Sequence, residues 1–449
     1  MHMQKPLLAV LMSSAFLTLN AQAADLIQVY KQALANDATY ASARAALSAG
    51  QERTAQGRAG LLPVISATGT NTKNYGDFTP SNVGDLVIGD GGIGFVEKRD
   101  TDNYTNQWQV QLTQPLFRWA NWENYQQSKL SQSVAEATFA QQQQDLIVRV
   151  AQAYFDVLSA QDTLEVTRAQ KEATTEQLAS AKRNFEVGTQ TITDTHEAQA
   201  AYDLVVAQEF AAINDLEVKR TALQQIIGTT PGALATLRLG VTIAAPQPGS
   251  IEPWTSAAEA QNYGVVAQNL NLEIAKREIS KQRAGHMPTL DLIAASSHQR
   301  ITGTGTQKNN AIGVTWSVPI FSGFGVTSKV REAISLEDKA RNDLEAQKRA
   351  AAQSARQAFL SVNSGLAQVK ALEAAEVSSK SALESNKLGY QVGVRINIDV
   401  LNAQRQLYNT QRDLLKARYD TIMNGLRLKS AAGSLKEEDL VPVNTLLTN

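Results

Sequence analysis

The amino-acid sequence predicts a mainly α-helical chain that also supplies strands to a membrane β-barrel. Three observations carry this prediction. First, residues 119–187 contain no proline or glycine, and in 326–388 Gly365 is the sole exception. At 1.5 Å per residue such stretches make helices about 90–100 Å long, far beyond the usual three or four turns. Second, a segment of alternating polarity precedes each stretch. Trp108, Val110 and Leu112 alternate with Gln107, Gln109, Gln111 and Thr113; Ile312, Val314, Trp316 and Val318 alternate with Gly313, Thr315 and Ser317. An apolar, aromatic-bearing face opposite a small polar one suits a strand between lipid and a polar lumen. A soluble amphipathic sheet has the same alternation. Third, the chain is duplicated. Phe185-Glu-Val-Gly188, Asp194 and Ala198-Gln199 recur as Tyr390-Gln-Val-Gly393, Asp399 and Ala403-Gln404, all at an offset of 205.

The elements follow in order. Residues 1–23 read as a secretory leader: Lys5, an apolar run from Leu7 to Leu19, and an Ala21-Gln22-Ala23 cleavage site. The mature chain is expected to begin at Ala24, and with no cysteine after the leader no acyl anchor is expected there. Residues 24–228 form the first repeat, with strands at 63–71 and 107–117 and long helices at 119–187 and 190–227. Residues 254–433 form the second, with strands at 289–298 and 310–321 and helices at 326–388 and 396–432. Arg58-Ala-Gly60 and Pro63 match Arg283-Ala-Gly285 and Pro288, and Pro115-Leu-Phe117 matches Pro319-Ile-Phe321. The first repeat is longer by roughly 20 residues between these landmarks. The extra length falls in 72–106, where Gly, Asp, Asn and Thr predict a surface loop. Residues 229–253, with Pro231, Pro246, Pro248 and Pro253, form an irregular crossover with a short strand expected at 237–243. Residues 434–449 are a C-terminal tail.

The long helices carry coiled-coil seams. Phe359, Val362, Leu366 and Val369 step by three and four; Leu401, Tyr408, Leu415 and Ile422 recur every seven. Leu407, Leu414 and Ala417 form an additional stripe, so this helix is expected to touch more than one neighbour. Helix ends are predicted at Gly188 and Gly393, where glycine tolerates the left-handed conformation that stops a helix.

Composition narrows the function. Lys plus Arg number 42 and Asp plus Glu 43, which gives no electrostatic case for nucleic acid. Cysteine is absent, so the chain is held by packing or oligomerisation rather than disulfides. No run of about 20 apolar residues occurs after the leader, so any membrane crossing must use strands. No His pair has metal spacing and no nucleophile or phosphate-loop motif is present. No enzyme activity, metal or cofactor is expected. Four strands cannot close a membrane barrel, and an open edge is intolerable in lipid. The strands must be shared in a cyclic assembly. A trimer gives twelve strands; a dimer or tetramer is compatible with the composition.

The motifs Gln114-Pro-Leu-Phe117, Ala153-Tyr-Phe-Asp-Val-Leu158, Phe185-Glu-Val-Gly188 with Ile192-Thr-Asp194, Gly389-Tyr-Gln-Val-Gly393 with Asp399-Val-Leu401, Arg418-Tyr-Asp420 and Ala431-Ala-Gly-Ser-Leu435 carry a resemblance. Over essentially the whole mature chain it resembles the TolC family of outer-membrane channels used in drug efflux and type I protein secretion. The resemblance implies a homotrimer with a 12-stranded barrel in outer-membrane lipid. A long coiled-coil α-helical barrel would reach into the periplasm, and a mixed equatorial domain would include the crossover and the tail. It implies two further partners, a periplasmic adaptor (membrane fusion protein) and an inner-membrane pump or ABC exporter.

The resemblance also assigns residues. Asp399 matches an entrance-ring aspartate, whereas the family's second ring aspartate is Asn402 here, which predicts a less cation-selective entrance. Tyr390 and Arg395 match residues that hold the entrance shut, with Asp194 and Thr193 as their partners on the neighbouring coil. Val187, Gly188, Thr189, Val392, Gly393 and Val394 match the tips that dock the adaptor. Trp108 and Trp316 are expected in the barrel's aromatic girdles. Simpler roles stand beside these: Asp194 and Asp399 also suit the first turn of a helix, and the glycines end helices without any docking. The alternative function is a periplasmic coiled-coil adaptor or scaffold, disfavoured by the two hairpins and the paired strands of lipid pattern.

Overall fold

A computed structural model describes residues 23–78, 86–89, 92–95, 99–238, 240–303 and 305–448. The expected leader lies, but for Ala23, outside the described residues. The chain divides into two compact units that cut across the sequence repeats, each taking parts of both. One comprises residues 1–43, 141–262 and 350–449; the other comprises 44–140 and 263–349.

The second unit holds the sheet. Helix α2 (Ala38–Ala59) leads into β1 (Val64–Phe78), and β4 (Arg99–Phe117) leads into α3 (Trp119–Glu186). Between β1 and β4 lies a small hairpin of β2 (Leu86–Gly89) and β3 (Gly92–Phe95). In the second repeat α6 (Tyr263–Arg283) leads into β5 (Thr289–Ile301) and β6 (Gly305–Ser317), followed by α7 (Gly325–Gln391). The sheet order is β1-β4-β5-β6, antiparallel throughout. The expected strand at 63–71 and loop at 72–106 need correction, because β1 and β4 stay paired through Thr72↔Thr105 and Asn74↔Asn103 well into that segment. Its Asn, Thr and Gly content suggested a loop, yet alternate side chains there meet cross-strand partners, and Asn74 donates to Thr105 Oγ1 at 3.0 Å. The strand expected at 310–321 instead spans Gly305–Ser317.

Register sorts the sheet into two faces, since directly opposed residues point the same way. Trp108 opposes His298, Val110 opposes Ser296 and Leu112 opposes Ala294. The same row system continues as Ala294 against Ile312, Leu292 against Val314 and Leu290 against Trp316. The other face carries Gln107, Gln109, Gln111 and Thr113; Gln109 donates to Gln111 at 3.0 Å and Gln111 to Thr113 at 3.2 Å. A register shift between Pro115 and Phe117 places one extra residue in β4, and Phe117 then pairs with Leu290. Such a bulge re-aims the side chain that follows it. It moves Phe117 onto the apolar face beside Leu290 and Trp316. Where β4 meets α3, Arg118 grips Asp291 through Nε at 2.8 Å and Nη2 at 2.5 Å.

The first unit holds the main apolar core. Its helices are α1 (Leu26–Asn36), the distal part of α3, α4 (Ile192–Ile227), α5 (Glu252–Gln261), the distal part of α7, α8 (Asn397–Ala431) and α9 (Leu440–Asn444). Asp25 and Gln28 form a capping box at the start of α1. Leu26, Leu146, Leu158, Leu223, Met423 and Leu440 are fully buried in one cluster, each stabilising by about 1.5–3 kcal/mol relative to exposure. The Tyr154 hydroxyl donates to Ala235 O at 2.8 Å and Ala24 O at 3.2 Å, tying the start of the chain and the crossover to α3. Among the described residues the expected strand at 237–243 is reduced to a single bridge, Leu237↔Leu447. Gly240, at φ +74°, interrupts the extended backbone there, so the crossover and tail pair by isolated contacts, among them Thr448 N–H to Thr236 O at 2.7 Å.

In α8 both seams have partners. Leu407, Leu414 and Ala417 are buried, as are Leu401 and Ile422, while Tyr408 and Leu415 stay half-buried. Among the described residues no helix is long and apolar enough to cross a membrane.

Candidate functional site

The doubled motif builds two helix ends of the same design in the first unit. At the end of α3, Gly188 has φ +75°, its N–H donates to Phe185 O at 3.0 Å, and Thr189 N–H donates to Asn184 O at 2.8 Å. At the end of α7, Gly393 has φ +78°, its N–H donates to Tyr390 O at 3.1 Å, and Val394 N–H donates to Gly389 O at 2.9 Å. This paired pattern is a Schellman termination, which requires the left-handed residue that glycine supplies. The turns hold Val187, Val392 and Val394 out in solvent at 72%, 65% and 76% exposure.

The next helices begin differently. In α4 the third residue is Asp194, and its Oδ2 accepts from Thr191 N at 3.1 Å and Thr191 Oγ1 at 2.7 Å in a capping box. In α8 the third residue is Asp399, but its N-cap is Ile396, which has no capping side chain. Asp399 is therefore free of that duty. It faces Arg395 Nη1 at 3.7 Å, one turn away and half exposed. Either carboxylate is favoured at a helix N-terminus by the dipole, by about 0.3–1 kcal/mol. Thr193 is exposed beside Asp194. Asn402, also exposed, accepts from Arg405.

The fold brings the two tips together, through residues that the sequence reading did not name. Gln190 donates to the Tyr390 hydroxyl. Asn397, 1% exposed, donates from Nδ2 to Asp194 O at 3.0 Å and accepts from Gln177 Nε2 at 2.6 Å. The expected partnership of Tyr390 and Arg395 with Asp194 and Thr193 is thus not made within one chain. Thr191 occupies the Asp194 carboxylate, and Gln190 and Asp399 take Tyr390 and Arg395. Gly389 is a further missed residue: it is buried, and a Cβ there would overlap Cγ of Arg395. A signal for these residues was available in the differences between copies. At the offset of 205, Gln190 becomes Arg395, Thr191 becomes Ile396 and Ile192 becomes Asn397.

Away from the tips the α3–α8 seam carries a half-buried acid, Asp162. Tyr419 donates to Asp162 Oδ2 at 2.5 Å. Burial pushes the Asp162 carboxyl above the usual carboxylate range, the Tyr419 hydrogen bond opposes this, and Glu165 adds to it. Asp37 behaves oppositely. Burial alone would raise it, but Arg149 at 3.0 and 3.1 Å and the Tyr40 N–H at 2.6 Å outweigh burial and hold it low. No group of three or more His, Cys, Asp or Glu among the described residues is placed to hold a metal ion.

In the second unit Trp108 and Trp316 lie on the same, apolar face. They sit level with His298 and Leu290 on β5, which at about 3.3 Å per residue puts them roughly 26 Å apart along the strand. With the usual barrel tilt that is about 20 Å of height, close to the roughly 25 Å apolar band of membrane barrels.

The family model described as "Outer membrane efflux protein" matches residues 29–229 and 254–434. The chain belongs to the outer membrane efflux protein family. The two matched stretches of this efflux protein coincide closely with its two repeats. Among relatives, "Outer membrane protein TolC" of Vibrio cholerae is 35% identical over 98% of both chains. "Alkaline protease secretion protein AprF" of Pseudomonas aeruginosa is 31% identical, covering 95% of this chain and 88% of that one. Among solved structures, the outer membrane protein VceC from Vibrio cholerae superposes with a TM-score of 0.76 at 18% identity, covering 91% of this efflux protein and 96% of VceC. The Campylobacter jejuni CmeC outer membrane channel gives 0.77 at 17% identity, covering 94% and 89%.

Proposed function

We propose that this efflux protein is a passive exit duct of the outer membrane, extending into the periplasm, that serves drug efflux or type I protein secretion. Membership of the TolC group of the family supports this, as does the kinship with a TolC and a protease-secretion protein. The observation that carries the reading is the sheet. Its two faces are sorted into apolar and polar, and β1 and β6 each have one strand partner among the described strands. All residues of β6 are exposed. In hydrocarbon an unpaired edge costs several kcal/mol per backbone group, so copies of the chain must close it. Three copies give the twelve strands of a homotrimer. Exposed Phe210 and Val218 on α4 and Leu360 and Val377 on α7 are further apolar surface for neighbouring copies to cover.

The tips form the periplasmic mouth in this reading. Asp399 of each copy lines the entrance, with Asn402 uncharged beside it. The Gln190–Tyr390 and Asn397–Asp194 contacts latch the two hairpins of a copy, and Arg395 restrains Asp399. A periplasmic adaptor docks on the tip residues Val187, Gly188, Thr189, Val392, Gly393 and Val394, and an inner-membrane pump or ABC exporter supplies the energy. The polar Gln and Thr face of the sheet borders the water-filled lumen, and Trp108 and Trp316 mark the lipid boundaries.

The test is fractionation and conductance. The protein is expected in the outer-membrane fraction, migrating unheated at about three times the mass of the heated mature chain and forming discrete channels in a planar bilayer. Recovery as a soluble periplasmic monomer without conductance refutes the reading and favours a scaffold.

A further inference from the structure

The apolar face of the sheet is asymmetric in charge. From the Phe117, Leu290 and Trp316 row up to the Val110 and Ser296 row, its outward positions carry no Lys or Arg. Cations begin at the Trp108 row. There His298 stacks on Trp108, with ring centroids 5.7 Å apart and 15° between planes, and Lys308 opposes His298 on β6. One row further, Arg300 opposes Thr306 and Asn106. Beyond it Lys73 lies 5.5 Å from the Tyr104 ring and pairs with Asp102 at 3.3 Å.

Two of these cations are available. Arg300 and Lys308 are exposed, and among the described residues neither has a carboxylate in ion-pair range. They are diagonal neighbours on adjacent strands, about 7–8 Å apart at the backbone. Their long side chains can converge on a single anion from that spacing. At the opposite end of the sheet Arg118, directly after β4, is consumed by Asp291.

The end that holds the cations is the end of the strand hairpins. Both α2 and α6 enter the sheet, and α3 and α7 leave it, at the other end. If the helices are periplasmic, as the duct reading requires, Arg300 and Lys308 stand just outside the apolar band on the cell-surface side. Aromatic rings at that level sit at the headgroup boundary, and a guanidinium takes a phosphate through paired N–H donors.

We propose that Arg300 and Lys308, backed by the Trp108–His298 stack, form a binding site for the phosphate groups of an acylated lipid in the outer leaflet. The acyl chains lie along Val110, Ile312 and Val314 below it. The site rests on the duct reading in requiring that this face meet lipid and that the helices be periplasmic. It adds that the contact is selective for phosphate and confined to one leaflet.

The test uses the purified oligomer in detergent, titrated with bis-phosphorylated lipid A and with the same lipid dephosphorylated, and read by native mass spectrometry. The wild type is expected to bind the phosphorylated form about tenfold tighter. Joint Arg300→Gln and Lys308→Gln should reduce that preference to within about twofold, while Arg300→Lys with Lys308→Arg retains most of it. Oligomer mass and conductance should persist in all three. Conducting oligomers that show no phosphate preference, or a preference that the Gln variant keeps, overturn the lipid site and leave the duct standing. A protein that forms no channel overturns both.

Discussion

Asn397 offers the sharpest test of how the two hairpins are latched. It is buried at the first residue of α8 and makes two hydrogen bonds, to Asp194 O at 3.0 Å and from Gln177 at 2.6 Å. Asn397→Ala removes both and leaves the half-buried Asp194 carbonyl and Gln177 amide without this partner. A net loss of about 1 kcal/mol per bond, raised by the cost of unsatisfied groups, comes to about 2–4 kcal/mol per chain. If these bonds break when the tips part, the open-to-closed ratio rises at least roughly thirtyfold per chain. Gln177→Ala removes one bond of the two and should produce roughly half the effect. The assay is single-channel conductance in planar bilayers, paired with hydrogen exchange over 177–198 and 390–404. Expected are higher conductance and faster exchange in both segments, in the order Asn397→Ala, Gln177→Ala, wild type. An intact Asn397→Ala oligomer with wild-type conductance and exchange would refute the latch.

Other outcomes test separate parts of the proposal. Tyr390→Phe removes the acceptor for Gln190, and Arg395→Ser frees Asp399; each should raise single-channel conductance, by less than Asn397→Ala because these contacts are more exposed. Val187→Asp combined with Val392→Asp should abolish efflux or secretion in cells with oligomers intact on unheated gels; loss of the oligomer would make these positions structural. Asn402→Asp adds a carboxylate per chain near Asp399 and should increase cation selectivity and block by multivalent cations, measured as reversal potential and current inhibition. Asp162 governs a pH effect whose sign is set by its raised folded pKa. Its contribution to stability is full below the ordinary carboxylate range and is lost as pH rises through the raised value. Asp162→Asn keeps an oxygen for Tyr419 and removes that loss, so it should raise thermal stability at about pH 7 and change it little below about pH 4. A melt that is equally displaced at both values would contradict this origin.

Long helices, helix-ending glycines and alternating strands were legible because each is a local pattern. Proline-free runs, a left-handed turn at Gly188 and Gly393, and the two-residue period around Trp108 and Trp316 depend on neighbours in the chain. Strand length was less legible. Asn, Thr and Gly between 72 and 106 are loop residues by composition, but on a face bathed in water they also pair across strands, and composition does not separate the two cases. The partners at the tips were not legible at all. Arg395 and Tyr390 were expected to partner Asp194 and Thr193, but within one chain a cap local to α4 takes Asp194, and Asn397 makes the connection instead.

By itself, then, the sequence determined the two-repeat plan, the helix ends and the two-faced alternation of the strands. These follow from the rigid periods of helix and strand and from the φ that glycine alone adopts readily. Only the tertiary structure decided which copy of the doubled motif holds which. It placed Asn397 against Asp194 and Gln177, more than two hundred residues away. It also set the bulge that turns Phe117 onto the lipid-side face, and the register that stacks His298 on Trp108 with Arg300 and Lys308 beyond. Register and long-range pairing depend on how whole elements meet, and a shift of one residue would send each of these side chains to the other face.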